Sequence, residues 1–484
     1  MMNKFIIKFH RVLGTILSIL FLMWFVSGLV LVYHYFPYIY DKDLLSHAQP
    51  MDTTALRPMA DIVGGARMHR DSIASAVLQR QADVYMVKLT DCNGREELLD
   101  AQTGQGLPRF SDRQLRQTAS AWHDGDITLL DSLNNIDLWL IYAYPHKEWP
   151  VLKYGFSGTD KAEIYLSSRT GNVVQYTTGE SRFWAWVGAI PHWIYITWLR
   201  ENGSALWCDV VAWVSGIGIF AVLSGLYVGI KSTITARRHR KGLTPYGKPL
   251  FRWHHILGLV FGLFALTYVF SGFMSVRHVP QWMVPVTEKR DVQTDIKGSA
   301  TISLDDFTAD YRDILARTGA RRLTWTLVGR KPVYRLEGCA DGSTRLVDAQ
   351  SGAPFTIDRE TCRDIVAKAF GKQVACEVTW QTEYDKYYIN FREERRPPLP
   401  VWKIAVDDAD RSVYYLNPAD GTARYYNSNT RLRSITYGVL HCFNSHYFTK
   451  HPTLRIVVIW VLMIGGTALS LTGIVLGIRR IRHR

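Results

Sequence analysis

The chain has 484 residues, 47% of them hydrophobic, with a mean hydropathy of −0.05 and a net charge of +14. That length exceeds one ordinary core, and the near-zero hydropathy suits a chain that is part membrane and part soluble better than either extreme. The six cysteines, at 92, 208, 339, 362, 376 and 442, form no CxxC pair and no zinc spacing, which argues against a metal-thiolate centre.

In chain order, four runs are long enough to cross a bilayer, which takes about 20 apolar residues: 12–33, 205–230, 255–276 and 454–478. The first starts like a signal peptide, with Lys4, Lys8 and Arg11. Its apolar stretch is too long for one, and "YHYFPYIYD" offers no small-residue cleavage site, so it reads as a retained helix. The expected organisation is a helix in 1–34, a polar domain in 35–204, a helix at 205–230 and a basic loop at 231–252. A third helix at 253–278, a second polar domain in 279–452, and a fourth helix with a basic tail at 453–484 follow.

Orientation follows from the short connections. Residues 231–252 carry seven Lys/Arg and no acid, and the chain ends in "RRIRHR". The positive-inside rule puts both, and the N-terminus, in the cytoplasm. The two long polar segments then face the other side, which in a bacterial inner membrane is the periplasm. Cys362 and Cys376 are open to a disulfide there, with free buried thiols the expected state. Topology thus accounts for the charge, and nucleic acid is not an expected partner.

The chain is a duplication. At an offset of 244, His10, Gly14, Ser27, Gly28 and His34 fall on His254, Gly258, Ser271, Gly272 and His278. "DAQTG" (100–104) falls on "DAQSG" (348–352), "PVLK" (150–153) on "PVWK" (400–403), and "SGLYVGI" (224–230) on "TGIVLGI" (472–478). Each half is helix, polar domain, helix, and both start in the cytoplasm, so they are parallel repeats. The polar domains read as α+β. Residues 111–122 open with a Ser-x-x-Gln capping box, their counterpart is 358–370, and alternating strands such as "VYMVKL" and "VYRLEG" lead to turns. Two helix-plus-strand units per segment make four modules in all.

Six of the fifteen histidines occupy matched or near-matched positions. His10 and His254 lie at the cytoplasmic mouths of spans one and three, and His34 and His278 at the far ends of the same spans. His192 and His441 lie in aromatic stretches before spans two and four. Interfacial anchoring accounts for any one of these alone. A histidine kept in both repeats near a bilayer core is costly without a partner or a task, and two imidazoles from facing helices can hold a haem iron from both sides. Gly14 and Gly258 leave room beside the ring for a flat macrocycle or for close helix packing. His10 and His34 are ~36 Å apart along a helix, so they belong to separate sites. Trp24 and Tyr268 are aromatic candidates for bridging the gap. His255, beside His254, is an alternative ligand.

Other chemistry has little support: the chain has no P-loop, no GxGxxG after a strand, no GxSxG and no HExxH. Asp209, Asp137 and Asp385 read as solvated or capping residues. "REERR" (392–396) reads as a solvated face that could also attract an anionic chelate.

With "FHRVLG" (9–14), "WHHILG" (253–258), the two "SG" pairs, His192, His441 and the "DAQTG"/"DAQSG" turns in view, the chain resembles the PepSY-associated transmembrane-helix family. The likeness covers nearly the whole chain. It implies an internally duplicated α-helical bundle of four transmembrane helices with α+β periplasmic PepSY-like modules. It also implies haem b, two groups, in an iron-regulated inner-membrane protein or ferric-siderophore reductase. By that likeness His10, His254, His34, His278, His192 and His441 are haem-iron ligand candidates, not all expected to ligate, and the modules dock a ferric chelate. Some relatives carry a cytoplasmic flavin or nicotinamide reductase domain; here only basic tails and a 22-residue loop face inward. Electrons are therefore expected from membrane quinol or a separate donor. A non-redox membrane protein whose modules bind a periplasmic peptide or protease is the alternative, and a permease the least supported reading.

Overall fold

The structure is a computed structural model that describes residues 2–140, 148–201, 203–277 and 279–482. Four helices are long and apolar enough to cross a membrane: Met2–Val30, Ala205–Arg238, Pro249–Val276 and Pro452–Arg482. Their outward faces are apolar, with Ile16, Trp213, Phe220, Val260 and Leu263 each more than 60% exposed. Water penalises such a surface and a hydrocarbon solvent does not. The first helix packs against the fourth and the second, and the third packs against the same two. That ring has the two-fold relation the duplication demands. Close approach is bought by glycine: a Cβ at Gly465 would overlap the Phe261 ring, and one at Gly466 would lie 2.6 Å from the Phe25 ring.

The first helix ends sooner than its apolar run suggests. A turn follows Val30, and residues 34–40 carry no regular structure up to the short helix Asp41–His47. His34 therefore lies beyond the helix that was expected to carry it. The second and fourth helices run further than expected, to Arg238 and Arg482, and end in their basic residues. Cationic side chains there complement the carbonyl ends of both helices.

Both long polar segments join consecutive spans, so they emerge at one end of the bundle, here termed the sheet end. They carry four sets of antiparallel strands, two of which join edge to edge, so three sheets result. The first sheet holds β1 (Ile73–Gln81), β2 (Val84–Asp91) and β3 (Glu96–Asp100) of the first half. The second half has one sheet that matches it and joins it. The four strands β4 (Ile127–Leu133), β5 (Val151–Phe156), β6 (Glu163–Ser167) and β7 (Val173–Thr177) form a separate sheet. From the second half come β8 (Arg322–Val328), β9 (Lys331–Glu337), β10 (Arg345–Asp348) and β11 (Pro354–Phe355). Its separate sheet is β12 (Cys376–Gln381), β13 (Val401–Val406), β14 (Val413–Leu416) and β15 (Ala423–Tyr426).

The shared sheet has the order β11-β10-β9-β8-β1-β2-β3. Its centre is the antiparallel pair β1–β8, with Ala76 opposite Trp325 and Leu78 opposite Leu323. Equivalent edge strands that would each be open to stray pairing close on one another instead. One apolar core runs beneath them, with Leu78, Val87 and Leu99 from the first half and Leu323, Trp325 and Tyr334 from the second. The expected helices pack on the separate sheets: Asp112–Ser120, behind the Ser111 capping box, shares a core with β5 and β6, and Arg359–Phe370, behind Asp358, shares one with β13 and β14. All six cysteines are free thiols, Cys362 buried and Cys376 half-buried.

Candidate functional site

The ring of four helices brings the duplicated histidines together in two pairs. His10 and His254 face one another at the end away from the sheets, ring centroids 6.4 Å apart. His192 and His441 form the second pair, centroids 6.0 Å apart, near the sheet end. His192 rides on the short helix Ala189–Trp193, which packs against the first span. His441 follows a π-helical turn, Ser434–Val439, packed against the third. Single π turns often serve to aim a functional side chain.

Which nitrogen each ring keeps free follows from its neighbours. Nδ1 of His10 lies 3.3 Å from the Ala221 carbonyl, which can only accept, so Nδ1 carries the proton. Nδ1 of His254 lies 2.9 Å from Oγ1 of Thr472, whose own hydrogen is donated to the Leu469 carbonyl at 2.8 Å. The Ser27 hydroxyl donates to the Met23 carbonyl at 2.6 Å and so accepts from Nδ1 of His192 at 3.1 Å. Ser271 donates to the Tyr268 carbonyl and accepts from His441 in the same manner, both at 3.0 Å. All four rings are thus fixed with Nδ1 protonated and Nε2 bare, the form in which imidazole binds a metal.

His255 is set the other way round. Its Nε2 lies 2.9 Å from Thr233 Oγ1, whose hydrogen goes to the Gly229 carbonyl at 3.1 Å, and its ring meets Tyr246 edge-on. Of the two neighbours, His254 is the one that faces His10.

Space beside the rings is held by glycine. A Cβ at Gly225 would lie 2.7 Å from Cε1 of His10, and one at Gly28 would lie 3.4 Å from Cε1 of His192. Gly473 and Gly272 occupy the equivalent places by His254 and His441. Trp24, whose carbonyl also faces His192, keeps its Nε1 hydrogen buried without an acceptor among the described residues.

A bis-imidazole metal centre fits this arrangement. Two imidazoles that shared one metal ion through Nε2, with bonds of about 2.0–2.1 Å, would have centroids about 6.3 Å apart. Among the described residues no group of three or more His, Cys, Asp or Glu converges. A macrocycle that brings four nitrogens of its own needs only such a pair.

The remaining expected ligands separate from these. His34 stacks face to face on Trp184, centroids 3.9 Å apart, and joins neither pair. His278 lies outside the described residues. Along each odd helix the two sites are closer than the ~36 Å spacing of His10 and His34. Gly14 and Gly28 mark their levels on the first helix, about 21 Å apart by helical rise. Aromatic rings stand between them: Phe21 and Trp24 at 6.0 Å on the first helix, Phe264 and Tyr268 at 4.2 Å on the third. Tyr268 in turn meets His441 at 5.1 Å.

Of the residues read as solvated or capping, Asp137 and Asp385 cap nearby backbone amides. Asp137 accepts from the amides of Trp139 and Leu140 and from the Tyr165 hydroxyl. Asp385 accepts from the amides of Tyr387 and Tyr388, the Tyr415 hydroxyl and Lys403 Nζ. Each ties a loop to its sheet. Asp209 pairs with Arg277. Of "REERR", Glu393, Glu394, Arg395 and Arg396 are exposed as a solvated face would be, while half-buried Arg392 lies over the Tyr35 ring and Arg395 donates to the Tyr40 hydroxyl.

Sequence reasoning missed Ser27 and Ser271 as ring-orienting groups, and Thr472 and Gly225 altogether. The signal was present, since all four lie in stretches that match between the halves. No protein-family model matches the chain, and no curated protein matches it.

Proposed function

We propose that the protein is a haem-b-containing electron-transfer protein of the bacterial inner membrane that reduces a ferric chelate, such as a ferric siderophore, in the periplasm. The observation that carries the reading is the pair of bis-histidine arrangements, each ring with Nδ1 donated away and Nε2 bare. His10 and His254 would hold one haem on the cytoplasmic side, and His192 and His441 another towards the periplasm. Bound there, haem supplies one-electron chemistry between ferric and ferrous iron.

The chain's own residues do the rest. The four Nδ1 acceptors orient the rings, the apolar bundle keeps water from them, and the aromatic residues between the sites narrow the gap an electron crosses. The sheet-bearing units, read as PepSY-like modules, would dock the substrate. Reduction loosens the chelate because hard oxygen donors favour ferric over ferrous iron. With the His10–His254 pair on the cytoplasmic side, the proposed electron donor is membrane quinol or a separate protein. The experiment is an optical spectrum of the purified chain with haem quantification, in the wild type and in His254→Ala and His441→Ala. The expected result is a reducible b-type spectrum from two haems per chain, and the loss of one haem in each variant.

A further inference from the structure

Two arginines at the sheet end break the duplication. Arg455, four residues into the fourth helix, is only 9% exposed. Its Nε and Nη2 donate to the Cys442 carbonyl at 3.2 and 2.8 Å, one residue past His441. Its guanidinium also lies over Phe391, 3.7 Å from the ring centroid. Arg392, half-buried, stacks on Tyr35 at 3.1 Å and approaches the same Phe391 ring at 5.5 Å. The two cations thus converge on one ring, beside the strand of chain that carries His441.

Neither guanidinium is ion-paired among the described residues. The nearby acid Glu393 pairs with Arg396 instead. The residues outside the described set include no Asp or Glu, so no carboxylate side chain is hidden there. The bonds to Cys442 satisfy one edge of Arg455 and leave its charge unanswered. At the 248-residue offset of the neighbouring helices, the first half has Tyr144 and Trp207 in these places. Two like charges in shared surroundings, one buried and one half-buried, are costly unless an anion joins them. A guanidinium pair is shaped for a carboxylate, which takes parallel N–H bonds.

We infer that Arg392 and Arg455 form a carboxylate clamp beside the His192–His441 pair, and that its occupant is a propionate of the haem held there. That occupant rests on the function proposed above. The other source of the same chemistry is a carboxylate of an arriving chelate, and the test separates the two.

The full chain carrying His254→Ala, so that one site reports, is stripped and reconstituted with haem or with haem dimethyl ester, which lacks both carboxylates. Retention is followed by transfer to an acceptor globin. The intact clamp holds haem about tenfold or more longer than the ester, and Arg392→Gln with Arg455→Gln brings the two to equality. Arg392→Lys with Arg455→Lys keeps much of the preference, which separates charge from loss of fold. In a second arm, ferric citrate binding is measured on wild type and on the glutamine variant. Citrate binding lost in the variant, with the haem preference absent throughout, assigns the clamp to the chelate. Equal behaviour of variant and parent in both arms overturns the clamp. A wild type that takes up neither haem nor ester overturns the haem reading instead, and the citrate arm then decides the clamp alone.

Discussion

The hydroxyl of Ser271 donates to the Tyr268 carbonyl, so towards His441 Nδ1, 3.0 Å away, it can only accept. That one relation decides the tautomer of a histidine and leaves Nε2 available. Ser27 repeats it for His192 in the other half. In Ser271→Ala the ring loses its orienting acceptor without losing its ligand atom. The expected outcome is a folded protein whose sheet-end haem is held about 10- to 100-fold less tightly, read by haem transfer to an acceptor globin. Ser271→Thr keeps the acceptor and is expected to keep the haem.

Gly225 offers a steric test of the other site. A methyl there falls 2.7 Å from Cε1 of His10, so the ring must swing away. Gly225→Ala is expected to perturb the haem spectrum of the His10–His254 site while leaving that of the sheet-end site unchanged. Gly216, beside which a Cβ meets nothing within 4 Å, is the control on the same helix, and Gly216→Ala is expected to be silent.

The cysteines report the membrane orientation. Cys92 is exposed on the first sheet-bearing unit, whereas burial pushes the Cys362 thiol up to about 12. At pH 8 about one Cys362 in ten thousand would be thiolate, and the thiolate is the reactive form. A membrane-impermeant maleimide added to intact cells with a permeable outer membrane is expected to label Cys92 and to spare Cys362. Cys92→Ser should abolish the fast labelling. A Cys92 that labels only after lysis would reverse the orientation.

Asp385 gives a pH dependence with a defined sign. Burial alone would raise its carboxyl pKa. The bonds from Lys403, the Tyr388 and Tyr387 amides and the Tyr415 hydroxyl overcome that and hold it below the usual carboxylate range. A depressed folded-state pKa contributes stability that is present above the unfolded value, about 3.9, and is lost as pH falls through the folded one. Asp385→Asn is expected to lower stability at pH 7 by about 1–3 kcal/mol. The difference from wild type should shrink as pH falls below 4, measured by urea unfolding of the sheet-bearing units.

Much of this molecule is legible in the sequence, for particular reasons. The four spans declare themselves because a helix that crosses hydrocarbon must be long and apolar, and the equivalence of His10 with His254 follows from a constant offset. The offset also hints at a two-fold relation, and the structure adds that β1 and β8 join the halves in one sheet. Pairing between halves is a long-range contact with no local pattern, so the joining of two strand sets into one sheet is not expected from the sequence. The end of the first helix is not legible, because "LVYHYF" is apolar enough to continue the run, and the chain instead turns after Val30. That moves His34 onto Trp184. Sequence does not separate His254 from His255, because one helical step of rotation divides a ring facing His10 from one facing Thr233.

The most direct measurement is the haem stoichiometry of the purified chain, by pyridine haemochrome and protein assay, with each histidine pair broken in turn. Two b-type haems per chain are expected, one lost in His10→Ala or His254→Ala and the other in His192→Ala or His441→Ala, with His255→Ala retaining both. A wild-type protein from haem-replete cells that is folded and colourless would contradict it.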